Sequence, residues 1–337
     1  MTLPSGKLPA EMLAQLLEGL PRRDPRVLLG PGIGRDAAVI DFGDRLLVAT
    51  TDPITFATAH LGWYAVHVNA NDIVCMGARP AWLLATALLP EGAETSLPAL
   101  IFRQLSEACD HLNIELVGGH TEVTPAVERP VIVGTMLGEA TREGIVLGEN
   151  IAPGDRVLMT KRIAIEGTSL LARECGDTLR GRRVDAATLG RASEMLFDPG
   201  ISVVADARAV CGAATPRLMH DPTEGGLATA LHELAEAAGV AIRVRRDAVP
   251  VLAETRTICD ALALDPWGLL ASGTLLAIVA AEDCGRVAAA LADVKIECSE
   301  IGTIETGDPK VIIDDEAAPL PRFARDELAR FFERSGR

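Results

Sequence analysis

The seven cysteines of this 337-residue chain are scattered singly, with no C-x-x-C pair among them. An odd number at irregular spacing argues against a disulfide framework and against a structural zinc site. They read as reduced, mostly buried thiols of a cytoplasmic protein. Positive charge is short as well: 32 Lys and Arg stand against 47 Asp and Glu, a formal net charge of −15. That argues against a broad nucleic-acid-binding surface. It leaves polyphosphate open, because a bound divalent metal supplies the positive charge itself. No run approaches the ~18 apolar residues of a membrane span. The opening MTLPSGKLPAEML has no basic region followed by an apolar core, so it does not read as a signal peptide. Two nucleotide fingerprints are also missing. No G-x-x-x-x-G-K-[ST] occurs, and Gly30, Gly32 and Gly34 form G-P-G-I-G ahead of a strand rather than G-x-G-x-x-G after one.

What remains is 48% hydrophobic and 23% charged, the balance of a globular protein with length for two domains. Residues 8–20 have the apolar spacing of a short amphipathic helix. AAVID and RLLVAT read as strands joined by a Phe-Gly-Asp turn, 61–77 as a helix closed by Gly77, AWLLATALL as a strand and 96–112 as a second amphipathic helix. IELVGG and PVIVGTMLGE read as strands around a turn-rich HTEVTPAVER. Pro153-Gly154-Asp155 is a turn signal, and it divides the chain into 1–150 and 151–337. The second half again mixes strands (RVLMT, AIRV, TLLAIV) with helices (IEGTSLLARECG, GGLATALHELAEAAG, TRTICDAL). Two α/β domains are the expected architecture.

Carboxylates punctuate the apolar segments. Asp72 is the only Asp, Glu, Lys or Arg between Leu61 and Ala78, and it sits mid-helix between Asn69, Asn71 and Ile73. A buried carboxylate is expensive unless it is paired or binds a metal. Asp36, Asp52 and Asp221 each lie at the edge of a strand or helix beside Gly or Thr, and VGGHTEV adds Gly118, Gly119, His120 and Glu122. Any one such Asp is ordinarily a turn former or helix cap. As a set, Asp oxygens with glycine-rich backbone suit a magnesium–nucleotide site. His220, beside Asp221, is either a base or phosphate contact, or a structural hydrogen-bonding group. Cys75, one turn from Asp72, reads as a packed core thiol. His232-Glu233 lacks the second His of a zinc protease, so HELAEAAG reads as the exposed face of a helix.

These segments resemble, in order, the superfamily of aminoimidazole ribonucleotide (AIR) synthase, thiamine-monophosphate kinase, selenophosphate synthetase and the hydrogenase-maturation protein HypE. GRDAAVI with TTDP is one element. NANDIVCMGARP resembles the family's N-x-x-D-[IV]-x-x-M-G-x-x-P helix, and VGGHTEV its G-G-[HDE]-[ST] turn. HDPTEGGL resembles its D-x-T-x-G-G turn, and ASGTLLAIV its late strand. The resemblance implies a two-domain PurM-like fold whose N-terminal sheets pair across a homodimer into a barrel, with ATP at the dimer cleft and a C-terminal α/β domain. It implies Asp36, Asp72 and Asp221 as Mg²⁺ ligands, and Asp52 as a further metal or phosphate contact. Gly118, Gly119 and His120 would contact nucleotide, with Asn69 as polar support. Lys7 matches a lysine of selenophosphate synthetase and would close over the phosphates, although Ser5-Gly6 precedes it where that family has a reactive Cys. APLPRF starts like the tail of HypE, then continues as a charged helix without Cys. The implied activity is ATP- and Mg²⁺-dependent phosphotransfer to, or activation of, a small molecule. The other reading is a nucleotide-binding maturation scaffold acting with a partner protein.

Overall fold

The computed structural model describes residues 7–8, 10–18, 20, 23–314 and 318–334. Ser5 and Gly6, and 335–337 of the tail, lie outside the described residues. The fold is mixed α/β with two sheets. The chain forms two compact units. The first comprises Arg23–Gly30 and Asp36–Ile145, and the second the described parts of Met1–Arg22, Pro31–Arg35 and Val146–Arg337.

In the first unit six strands, β1 (Val27–Leu29), β2 (Ala38–Asp41), β3 (Leu46–Ile54), β4 (Arg79–Pro90), β5 (Glu115–Thr124) and β6 (Val131–Ala140), make one sheet in the order β1-β2-β3-β6-β4-β5. All pairs are antiparallel except β4 with β5. Strand β6 alternates between buried and half-buried residues along its length, as a sheet covered on one face should. After α1 (Ala10–Glu18) of the second unit, the helices of this unit are α2 (Leu61–Cys75) and α3 (Leu97–Leu112). Helix α2 packs against β3, β4 and β6 on one side and against α3 on the other. A helix enclosed in that way has no wet face, which is why LGWYAVHVNANDIVC has almost no charge.

Strand β5 corrects the reading of HTEV as a turn: the strand continues through Thr124, so Gly118, Gly119 and His120 lie within it. As the edge strand, with nearly every residue exposed, it lacks the apolar alternation by which a strand is recognised.

The second unit carries β7 (Arg156–Thr160), β8 (Leu218–His220), β9 (Ala241–Val244), β10 (Leu276–Val279), β11 (Cys298–Glu305), β12 (Lys310–Ile313) and β13 (Ala318–Pro319). Their order is β13-β12-β9-β11-β7-β10-β8, with only β9 and β12 parallel. The helices are α4 (Ile165–Glu174), α5 (Gly176–Gly181), α6 (Ala186–Glu194), α7 (Val204–Ala213), α8 (Gly226–Ala238), α9 (Ala253–Leu262), α10 (Cys284–Asp293) and α11 (Glu327–Arg334). Helix α8 is the amphipathic one that follows Asp221. It buries Leu227, Ala230, Leu231 and Leu234 and ends on Gly239 in the left-handed region at φ 67°. His232 and Glu233 are not on an exposed face, as their sequence context suggested. His232 is buried, and the Glu233 side chain is only 20% exposed because it reaches His220. None of the seven cysteines, all of them among the described residues, is in a disulfide, and Cys75 is fully buried as a core thiol. Among the described residues no helix is long and apolar enough to cross a membrane.

Candidate functional site

Two periodicities meet where α2 crosses β3. Thr50 and Asp52 are two apart on a strand and share a face, while Asn69 and Asp72 are three apart on a helix and share a face. The Thr50 hydroxyl, at 2.7 Å from Asp72 Oδ2 and 3.0 Å from the Asp36 carbonyl oxygen, ties the start of β2 to the helix. The Asn69 carboxamide grips the backbone of Asp52. Its Oδ1 accepts from the Asp52 N–H at 3.0 Å, and its Nδ2 donates to the Asp52 and Ala65 carbonyls at 3.4 and 2.9 Å. Asp72 is 7% exposed and Asn69 fully buried, whereas Asp36 and Asp52 are half-buried. Asp36, Asp52, Asn69 and Asp72 are thus assembled in the first unit. Every donor in the group is an oxygen except the Asn69 nitrogen, and hard oxygens are the ligands magnesium takes. The residues present fit that ion.

Gly118, Gly119 and His120 do not join this group within the unit. Strand β5 is separated from β3 by β6 and β4, a distance of about 14 Å at the usual strand spacing. They line instead a hollow of about 360 Å³ with Ala85, Phe102 and Leu105. His120 Nε2 lies 3.2 Å from Glu122 Oε2.

In the second unit β8 ends on His220, and Asp221 opens the turn into α8. Both are buried. His220 Nε2 lies 3.2 Å from Glu233 Oε2, about two helical turns into α8. Burial by itself would raise the Glu233 carboxyl; the His220 hydrogen bond and the charges of Lys7 and His220 outweigh it and hold the group below its usual value. Lys7 is brought to the same turn. Its N–H donates to Glu224 Oε2 at 2.9 Å and its ammonium to Thr223 Oγ1 at 3.0 Å. Lys7, His220 and Asp221 therefore share one neighbourhood, joined by Thr223, Glu224 and Glu233. Sequence reasoning passed over Thr50, whose signal was its place two residues before Asp52 on a strand, and Glu233, which it assigned to solvent.

The family profile described as AIR synthase related protein, N-terminal domain, matches residues 34–140, and that of the C-terminal domain matches 152–315. The chain belongs to the AIR synthase related protein family. Among curated relatives in this family, a hydrogenase expression/formation protein of Methanocaldococcus jannaschii is 30% identical over 74% of this chain and 73% of its own. The carbamoyl dehydratase HypE of Bradyrhizobium diazoefficiens is 30% identical over 77% of this chain and 73% of its own. Among solved structures, a hydrogenase maturation protein HypE in complex with ATP superposes with a TM-score of 0.71, covering 94% of this chain and 91% of that one at 23% identity. At that identity the last likeness speaks to the two-domain PurM-like fold of the AIR synthase related family alone.

Proposed function

We propose that this protein is an ATP- and Mg²⁺-dependent enzyme that phosphorylates, or otherwise activates with ATP, a small molecule in the cytoplasm. The observation that carries the reading is the oxygen-rich group at the crossing of α2 and β3, where Thr50 and Asn69 hold Asp36, Asp72 and Asp52. In the proposal Asp36, Asp72 and Asp221 are the magnesium ligands, and Asp52 is a metal or phosphate contact backed by Asn69. The metal supplies positive charge against the nucleotide's phosphates. The protein's own part is to hold these oxygens in place and to present Lys7 to phosphate. His220, oriented by Glu233, is placed to exchange a proton with an acceptor group. Gly118, Gly119 and His120 are nucleotide contacts on an exposed strand edge. Their separation from the aspartates within one chain supports a homodimer in which the partner's edge strand completes the site. The division into an ATP-binding half, 1–150, and a second half, 151–337, belongs to the same proposal.

Release of ADP from Mg-ATP by the purified chain, screened against phosphate acceptors, tests the activity. Calorimetry in Mg²⁺ and in EDTA tests the metal: an acidic chain of net charge −15 should bind free ATP far more weakly. Mg-ATP binding with no ADP release under any acceptor would point to the nucleotide-binding maturation scaffold. Equal binding in EDTA would remove the metal assignment. Sedimentation finding only the 35.5 kDa monomer at micromolar concentration would remove the dimer.

A further inference from the structure

The C-terminal segment, 318–334, is fastened along the second unit at several points. His232 Nε2 lies 3.1 Å from the Leu320 carbonyl oxygen, Arg322 donates to Glu236 at 2.5 Å, and Glu327 Oε2 accepts from the Asp265 N–H at 3.0 Å. Asp326 does something different. It is 3% exposed, and its two oxygens serve two backbone donors: Oδ2 accepts from Gly225 N–H at 2.6 Å and Oδ1 from Leu328 N–H at 2.7 Å. Gly225 belongs to the turn that leads from Asp221 into α8.

That turn needs holding. Gly225 and Gly226 are both left-handed, at φ 84° and 64°, between Asp221 and the first full turn of the helix. A Cβ at Gly225 would fall 2.2 Å from Thr229 Oγ1, and one at Gly226 would fall 2.5 Å from the Trp267 carbonyl oxygen, so the conformation is open to glycine alone. Two adjacent glycines have many other conformations available, and selecting this one requires external bonds. Gly226 N–H to the Thr223 carbonyl at 3.0 Å supplies one from inside the turn. The Asp326 carboxylate supplies another from 101 residues away. An apolar side chain at 326 would fill the buried volume without the cost of burying a carboxyl, so packing alone does not account for an acid there. The acid is accounted for by the N–H groups it serves.

We propose that Asp326 is a positioning residue: through the Gly225 N–H it fixes the turn 221–226, and thereby the placement of Asp221 toward the nucleotide's metal. The inference rests on Asp221 being a metal ligand, as proposed above. Asp326 touches neither metal nor nucleotide; it acts through the turn.

The test uses the full chain, with calorimetry of Mg-ATP binding well below the melting temperature and hydrogen exchange of the Gly225 amide. Asp326→Ala is expected to weaken Mg-ATP affinity at least tenfold and to speed Gly225 exchange. Asp326→Asn, which keeps one acceptor oxygen, is expected to return part of both and guards against an alanine variant that does not fold. Glu327→Ala removes the acceptor of the Asp265 N–H on the same segment, away from the turn. It is expected to lower the melting temperature and leave the affinity unchanged. Equal losses of affinity in the 326 and 327 variants would reduce Asp326 to general stability and overturn the proposal. So would wild-type affinity in Asp326→Ala while Asp221→Asn loses binding. If Asp221→Asn itself binds Mg-ATP as the wild type does, the metal assignment falls first, and the role given to Asp326 falls with it.

Discussion

The Thr50 hydroxyl and the Asp72 carboxylate are 2.7 Å apart, the one donating from a strand to the other on a buried helix. An asparagine at 72 retains an oxygen to accept that bond, so Asp72→Asn should keep the fold and melt no lower than the wild type. An amide is a poor ligand for a hard cation, so the rise in melting temperature on adding Mg-ATP should disappear. Melting curves of both proteins with and without Mg-ATP check this. A variant that melts lower yet retains the full ligand-induced rise would show Asp72 to be a structural acceptor only.

Asn69 reaches Asp52 through a gap left by Gly134, its strand neighbour in β6. A Cβ at Gly134 would lie 2.3 Å from Asn69 Nδ2. Gly134→Ala should therefore push the carboxamide away and unpair two buried polar groups, at a cost of ~1–3 kcal/mol. It should also weaken Mg-ATP binding, because Asp52 is then no longer held. Urea unfolding and calorimetry on the same variant check the two effects, and a stable variant with intact binding would show that Asn69 is not needed.

Glu166 is a buried carboxyl in the first turn of α4, and burial pushes it up to about 7 from 4.5. The Ser272 hydroxyl opposes that rise, and the charges of Asp326, Asp221 and Glu224 add to it. The folded protein holds this proton more tightly than the unfolded chain, so stability falls as pH rises from about 4.5 to about 7. Glu166→Gln should flatten that part of the curve and stabilise the metal-free protein at pH 8 by up to ~3 kcal/mol. Urea unfolding at pH 5.5 and at pH 8 gives the comparison. An unchanged slope would mean that the group titrates alike in both states.

Lys161 and Asp206 form an ion pair at 3.2 Å with side chains only 7% and 1% exposed, and the ammonium also donates to the Ser202 carbonyl at 2.6 Å. Burial drives the Lys161 pKa down, against the pull of Asp206. Removing one partner strands the other in the interior. Asp206→Asn should cost ~3–5 kcal/mol, while the double replacement Lys161→Met, Asp206→Leu should recover most of it. Chemical denaturation of the three proteins decides; a double variant as unstable as the single one would point to a role for the pair beyond charge balance.

Asp72 was legible from sequence because a single charge in an apolar run has to be justified by a partner. The same reasoning applies to Glu166, the only charge from Ile163 to Ala172, and there it went unused. Asn69 and Asp72 could be placed on one helix face by spacing. That this face meets Thr50 and Asp52 is a matter of how α2 lies on the sheet. The pairing of His220 with Glu233 depends on the angle at which α8 leaves the strand, so local pattern pointed the wrong way. The bond between Asp326 and Gly225 spans 101 residues, and no window of sequence contains it.

The two units are interlaced along the chain. Starting from the second unit, the backbone enters the first at Arg23, returns for Pro31–Arg35, re-enters at Asp36 and leaves for good at Val146. No single scission can therefore release either unit whole. A protease nick near residue 146 would yield an N-terminal piece still carrying segments that belong to its neighbour. Genes encoding the halves separately would each make an incomplete body, and complementation in trans, rather than independent folding, is what such fragments should display.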